Sequence, residues 1–180
     1  MTAPRLEDAA VRLRPLEERD VVAYAASFSD DPELANLLGV EAAPAKDEVR
    51  ARLARPWVEP PELRGYEWAI ADAGDDRFVG ALMLHSCAWA HRRVEVGFWL
   101  TPPARGRGIA TTALRLVLDW LFDAVAVERV ELTALPGNDA VARIAAKLGF
   151  AYEGTLRQRN FERGRRVDVL MWSLLAGERR

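Results

Sequence analysis

The 180-residue sequence holds one cysteine, two histidines and no long apolar run. Cys87 alone closes no internal disulfide, which excludes a disulfide scaffold. With only His85 and His91 beside it there is no clustered set of metal ligands, and no metal cofactor is expected. No stretch approaches the roughly 18 consecutive apolar residues of a membrane span, and the N-terminus, with Arg5, Glu7 and Asp8, has no signal-peptide core. The chain is therefore read as soluble and cytoplasmic. An excess of one charge is missing as well: 25 Lys+Arg face 27 Asp+Glu, a net charge of -2 that gives no general attraction to nucleic acid. Lysine is nearly absent, with Lys46 and Lys147 standing among arginines, and together with abundant alanine this reads as genomic composition bias.

Half of the residues are hydrophobic, enough at this length to bury a sizeable core, so one domain over residues 1–180 is expected. Val11 and Leu13 alternate against Arg12 and Arg14 in a strand that Pro15 halts. Leu16 to Leu38 has helical spacing, with a helix start at Asp30, Pro32 and Glu33 and an end at Gly39. Prolines divide Glu41 to Arg64 into a helix near residues 46–55 and a loop, which either covers a site or merely connects. Tyr66 to Asp72 and Phe78 to Cys87 read as antiparallel strands joined by the turn Ala73-Gly74-Asp75-Asp76. Strands follow at Arg93 to Leu100, Val130 to Leu135, Ala151 to Leu156 and Val167 to Leu174, the last after a turn at Gly164. A helix begins at Gly108 with a polar stripe of Thr111, Arg115, Asp119 and Asp123, and another spans Asn138 to Leu148. The order is that of an α/β chain with a mixed sheet.

The turn Arg105-Gly106-Arg107-Gly108-Ile109-Ala110 lies between a strand ended by Thr101-Pro102-Pro103 and a long helix. Glycines there let successive N–H groups converge at the positive end of a helix dipole, and two arginines add mobile charge: a pyrophosphate seat. No Gly-Lys-Ser/Thr follows, and the third glycine of a dinucleotide fingerprint is missing. The alternative is an Arg/Gly-rich turn that only caps a helix.

Val94 to Phe122, with Arg105-x-x-Gly108-x-Ala110, resembles the acyl-CoA signature of the GNAT acyltransferase superfamily. Asn138, Lys147-Leu148-Gly149-Phe150, Glu153-Gly154-Thr155-Leu156-Arg157, Gly164-Arg165-Arg166-Val167-Asp168 and Val11-x-Leu13-Arg14-Pro15 resemble its ribosomal-protein N-terminal acetyltransferase branch. The resemblance implies a GNAT-like α/β domain whose mixed, mostly antiparallel sheet splays between its fourth and fifth strands, with helices on both faces. It implies acetyl-CoA as donor, transfer to a protein N-terminus or small amine without a covalent enzyme intermediate, and by analogy a homodimer. The pantetheine arm would lie beside Phe98, Trp99 and Leu100, its pyrophosphate on Arg105, Gly106, Arg107, Gly108, Ile109 and Ala110, and the Asn138 side chain would face it. Asn138 also reads as an N-cap, Gly149 as a helix end and Phe150 as core.

Transfer to an amine needs a neutral amine, a polarised carbonyl and a leaving thiolate. Glu95, an acid in an apolar stretch on the same strand side as Gly97 and Trp99, is the candidate base; the alternative is a solvated strand residue. A backbone N–H near Leu100 is expected to hold the carbonyl oxygen. Where relatives carry Ser or Tyr as proton donor to the sulfur, this chain has Val141 and Ala145, and a second reading is therefore a CoA-binding sensor with weak or lost transfer. Cys87 reads as core, and His85 and His91 as structural or exposed. Trp57, Trp89 and Trp99 are candidates for an acceptor pocket, and Trp68, Trp120 and Trp172 for the core. Arg157, Arg159, Arg163, Arg165 and Arg166 form a basic hairpin, read as a solvated turn in preference to an RNA or acidic-partner surface.

Overall fold

Alternation along the strands presents apolar side chains on both faces of one sheet, so helices must cover both. The computed structural model describes residues 4–38, 43–54, 65–162 and 164–179. Its elements are β1 (Leu6–Glu7), β2 (Val11–Arg14), α1 (Val21–Asp30), α2 (Pro32–Leu37), α3 (Lys46–Ala54), β3 (Tyr66–Asp72), β4 (Phe78–Ala88), β5 (Arg93–Leu100), α4 (Ile109–Asp123), β6 (Arg129–Ala134), α5 (Asp139–Leu148), β7 (Ala151–Glu162) and β8 (Arg165–Leu175). The strand order is β1-β2-β3-β4-β5-β6-β8-β7, and every pairing is antiparallel except β5 with β6. The expected mixed, mostly antiparallel sheet is therefore present. Because β1 precedes the first predicted strand, the splay lies between β5 and β6.

One face carries Leu13, Ile70, Leu82, Val94 and Val96, packed against Ala113, Leu114, Val117 and Leu121 of α4. The other carries Ala69, Ala81 and Trp99 under Val21, Tyr24 and Phe28 of α1, with Leu34 of α2 and Val49 of α3. Trp99 meets Tyr24 and Phe28 edge-on, with ring centroids 5.1 and 5.3 Å apart. Trp68 and Trp172 are buried, and Trp120 packs edge-on against Trp68, as expected of core residues. Thr111 departs from the predicted polar stripe of α4: it is buried, together with Ile109 and Ala110 of the same first turn. Arg115 and Asp123 are exposed as expected.

The helical stretch from Leu16 is broken where the sequence left it continuous. Glu18–Asp20 form one 3-10 turn, α1 follows, and Asp31 leaves the helical region at φ -136°, ψ 85°. Pro32 explains the break, since its ring disfavours a helical conformation in the residue before it. Asp31, not Asp30, consequently caps α2, accepting from Leu34 N–H at 3.3 Å. Gly39, the expected helix end, lies outside the described residues. The hairpin strands are longer than predicted, because register shifts at Tyr152/Gly154 and Leu156/Asn160 interrupt the alternation that would have marked β7.

Arg14 was placed on the wet side of its strand, yet it is fully buried. Two of its nitrogens reach Asp20 at 2.6 and 2.9 Å, and its Nε donates to Asp76 at 3.2 Å. A buried guanidinium is tolerated only with its donors satisfied, and the β3–β4 turn supplies the second carboxylate. Burial by itself would raise the Asp76 pKa, but hydrogen bonds from Arg12, Arg19 and Arg14 hold it down to about 2. A carboxyl whose folded pKa is depressed contributes stability above its unfolded pKa and loses it as pH falls toward the folded one. Asp76→Asn, which keeps the size and tolerates the φ of +58°, should cost on the order of 1–2 kcal/mol at pH 7. Denaturant melts from pH 7 to pH 2 should show the wild type converging on the variant below about pH 4.

Candidate active site

Strands β5 and β6 pair only through Arg93–Glu95 against Arg129–Glu131. Thr101 N–H donates to Val79 O at 2.9 Å, and the antiparallel alternation set by that bond turns the backbone groups of Val96, Phe98 and Leu100 away from β4. Past Glu95 no ladder meets them on the β6 side, so Phe98 and Leu100 face an opening. That opening is the floor of a cleft of about 1310 Å³, bordered by β5, β6, α5, the start of α4 and the β7 edge. Its volume suits a long ligand arm together with a second molecule.

At one end lies the glycine turn. Pro102–Ala104 make a single 3-10 turn, after which Gly106 and Gly108 take φ of +73° and +82°. Among the described residues nothing accepts from the N–H groups of Gly106, Arg107, Gly108, Ile109, Ala110 and Thr111, and a Cβ at either glycine would meet open space. Unpaired donors converging at the start of a fifteen-residue helix suit a phosphate group. Ile109 and Ala110 are buried, so they offer backbone only. Arg105 is not the mobile charge the sequence suggested. Its Nε donates to Leu100 O at 3.1 Å, its Nη2 bonds Asp31, and its N–H donates to Pro102 O at 3.2 Å. Arg105 thus ties the turn to the N-cap of α2 while its side chain stays 40% exposed, and Arg107 is exposed as well.

Asn138 caps α5 as read in the sequence, its Oδ1 accepting from Val141 N–H at 3.4 Å, and the residue also borders the cleft. Gly149 ends α5 at φ +84°, and Phe150 is core. Val141 and Ala145 are buried hydrocarbon side chains, and Val141 lines the cleft. Trp99 borders the cleft, but its ring belongs to the core; Trp89 packs near Tyr66 and does not line the cleft, and Trp57 lies outside the described residues.

Glu95 is only 8% exposed and is no solvated strand residue. Thr133 Oγ1 donates to its Oε1 at 2.5 Å, and His85 Nδ1 lies 3.7 Å from its Oε2. These two neighbours were missed because they depend on strand register. His85, Glu95, Glu131 and Ser173 stand opposite one another on β4, β5, β6 and β8, a polar row across four strands. Glu131 is held by Arg93 and by Arg129 Nε at 2.8 Å, so a carboxylate beside Glu95 is already matched by two guanidinium groups. At the far end of the row, hydrogen bonds from Arg129 and Ser173 lower the Glu153 pKa to about 2. Burial pushes the Cys87 thiol up to about 12, which keeps it protonated and unreactive. No group of three His, Cys, Asp or Glu side chains able to hold a metal ion occurs among the described residues. Arg157, Arg159, Arg165 and Arg166 are exposed on the β7–β8 hairpin, Arg159 bordering the cleft, and Arg163 lies outside the described residues.

Comparison with known proteins agrees with this geometry. Residues 10–151 match the acetyltransferase (GNAT) domain. The chain is 28% identical to the uncharacterized N-acetyltransferase YoaA of Bacillus subtilis strain 168, over 96% of this chain and 97% of that protein. It is 28% identical to the spermidine N(1)-acetyltransferase of Escherichia coli K12, over 86% and 80% of the two chains. The crystal structure of Mycobacterium smegmatis RimJ in complex with CoA-disulfide superposes with a TM-score of 0.83, covering 97% of this chain and 87% of that one at 27% identity. No helix among the described residues is long and apolar enough to cross a membrane.

The unpaired N–H groups of the glycine turn yield a direct test. Gly108→Trp forces a Cβ into a left-handed conformation and places an indole over the donors. Calorimetry with acetyl-CoA should show binding weakened at least about tenfold, equivalent to about 1.4 kcal/mol. Arg107→Ala should weaken it less, since it removes a charge and leaves the backbone donors in place.

Proposed function

The chain belongs to the acetyltransferase (GNAT) domain family, and from that premise we propose that it acetylates the α-amine of a protein N-terminus or a small primary amine by direct attack on the thioester of acetyl-CoA, with Glu95 as the base. The observation that carries this reading is Glu95 itself: a buried carboxylate at the point where β5 and β6 part, steadied by Thr133 and reachable from the cleft. The donor's diphosphate fits the free N–H groups of Gly106 to Thr111, and its amide-bearing arm fits the backbone of Phe98 and Leu100 beside Asn138. The Leu100 N–H, turned into the opening, is placed to polarise the thioester carbonyl. Acetyl-CoA supplies the activated acyl group; the chain supplies position, a base and a carbonyl donor. The relatives' names point both ways on the acceptor, one naming spermidine and another a ribosomal N-acetyltransferase.

An ammonium does not attack a carbonyl, so the acceptor must lose a proton first. An α-amine, with a pKa near 8, gives up its proton more readily than a lysine near 10.4, and a site with one buried carboxylate favours the former. No hydroxyl at Val141 or Ala145 meets the departing sulfur, and a thiol with a pKa of about 8.5 leaves as the thiolate without help.

Glu95→Gln keeps the side-chain size and removes the base. Acetylation of an α-amine acceptor should fall by about 10² or more, most steeply below the amine pKa, where deprotonation limits the rate. Val141→Ser should raise turnover only several-fold and leave CoA affinity unchanged, because a thiolate gains little from an acid. Full activity of Glu95→Gln at every pH refutes the assigned base; tight CoA binding without transfer to any of a panel of amines points instead to a sensor.

A further inference from the structure

We infer that His85 is the exit for the proton that Glu95 removes from the acceptor, a positioning and relay residue outside the cleft's apolar floor. The inference rests on Glu95 as base. A buried base has a difficulty that a surface base lacks: after accepting a proton it must release it before the next turnover, and Glu95 is only 8% exposed. Its two nearest polar neighbours differ in what they can do. Thr133 Oγ1 already donates to Oε1 at 2.5 Å and cannot take up a further proton at neutral pH. His85 can, because a neutral imidazole carries one ring nitrogen that accepts and one that donates.

The geometry supports the path. His85 and Glu95 are directly opposite on β4 and β5, with Nδ1 3.7 Å from Oε2, and the imidazole side chain is 45% exposed at the cleft wall. One end of the pair is therefore buried and the other wet. The gap exceeds a hydrogen bond, and a small ring rotation or one bridging water spans it. Gly97 leaves the ring its place: a Cβ there would lie 3.0 Å from His85 Nε2. Ser86, with φ of +49°, and the register shift between His85 and Ala88 turn β4 outward immediately after the histidine.

The charged groups around the pair do not offer a competing exit. Glu131, beside Glu95 on β6, is bonded to Arg93 and Arg129. Arg93 and Arg129 stay protonated at all working pH values. Arg159 and Glu162 border the cleft from β7, and Glu33 from α2, and none of them bonds Glu95. The protons balance: one ammonium N–H bond breaks as a Glu95 O–H bond forms, that proton passes to His85 Nδ1, the imidazolium releases a proton from Nε2 to buffer, and tautomer exchange through solvent restores Nδ1 as acceptor. The second amine proton leaves as the tetrahedral intermediate collapses and balances the departing CoA thiolate. Glu95 is left ionised for the next acceptor.

The test compares His85→Ala, Glu95→Gln and the exposed His91→Ala control, with acetylated acceptor measured by mass spectrometry because free imidazole itself cleaves thioesters. His85→Ala should lower kcat about tenfold at neutral pH, less than a direct base, because water replaces a relay in part. KM for the acceptor and the affinity for CoA should hold. Added imidazole should restore the rate of His85→Ala with rising concentration, and should leave wild type, His91→Ala and Glu95→Gln unchanged. If Glu95→Gln retains full activity, the base assignment fails and this inference falls with it. If Glu95→Gln is slow but His85→Ala is either as fast as wild type or slow without imidazole rescue, only the relay is overturned.

Discussion

The structure depends on one missing ladder. Strands β5 and β6 are the sole parallel neighbours in an otherwise antiparallel sheet, and they share three residue pairs before they part. A sheet that loses hydrogen bonds in its middle must recover them elsewhere or leave donors and acceptors unpaired. Here the loss is located where a ligand rich in amides can restore it, at Phe98 and Leu100. One core continues past the gap, joining α4 with residues of both β5 and β6, whereas α1 and α2 cover the other face only as far as β5.

Features set by local chemistry were legible in the sequence. The glycine turn, the two prolines that end β5, the Asn138 cap and the Gly149 stop each depend on a few adjacent residues, and each stands where the spacing placed it. Features set by register were not. Nothing in the sequence says that residues 85, 95, 131 and 173 share a line, because their alignment is fixed by turns and by the parallel crossover through α4. Arg14 failed for a related reason: alternation marks a face, but whether that face is wet depends on the turn that folds over it, and Asp76 comes from a turn 62 positions away.

The shift from Asp30 to Asp31 is small along the chain and large in consequence. As the residue before Pro32, Asp31 both caps α2 and receives Arg105 from the glycine turn. The glycine turn and the helix whose Glu33 and Leu34 border the cleft are therefore joined by one ion pair. That Asp31 and Leu100 O lie within reach of Arg105 depends on tertiary placement, which the turn's own residues do not carry. The same guanidinium also takes the carbonyl of Leu100, which leaves that residue's N–H as its free backbone group toward the opening.

The cations at the cleft have a further property. Arg93, Arg105, Arg143 and Arg159 border it, and Lys147 is the one lysine among them. A guanidinium with a pKa above about 12 is no nucleophile at neutral pH, whereas an amine held beside a thioester is a target. Whatever genomic pressure favoured arginine, the result is a cationic wall that tolerates an activated acyl group at close range. Among the described residues Lys147, on the exposed face of α5, is the lysine that borders the cleft, and Lys46 on α3 does not.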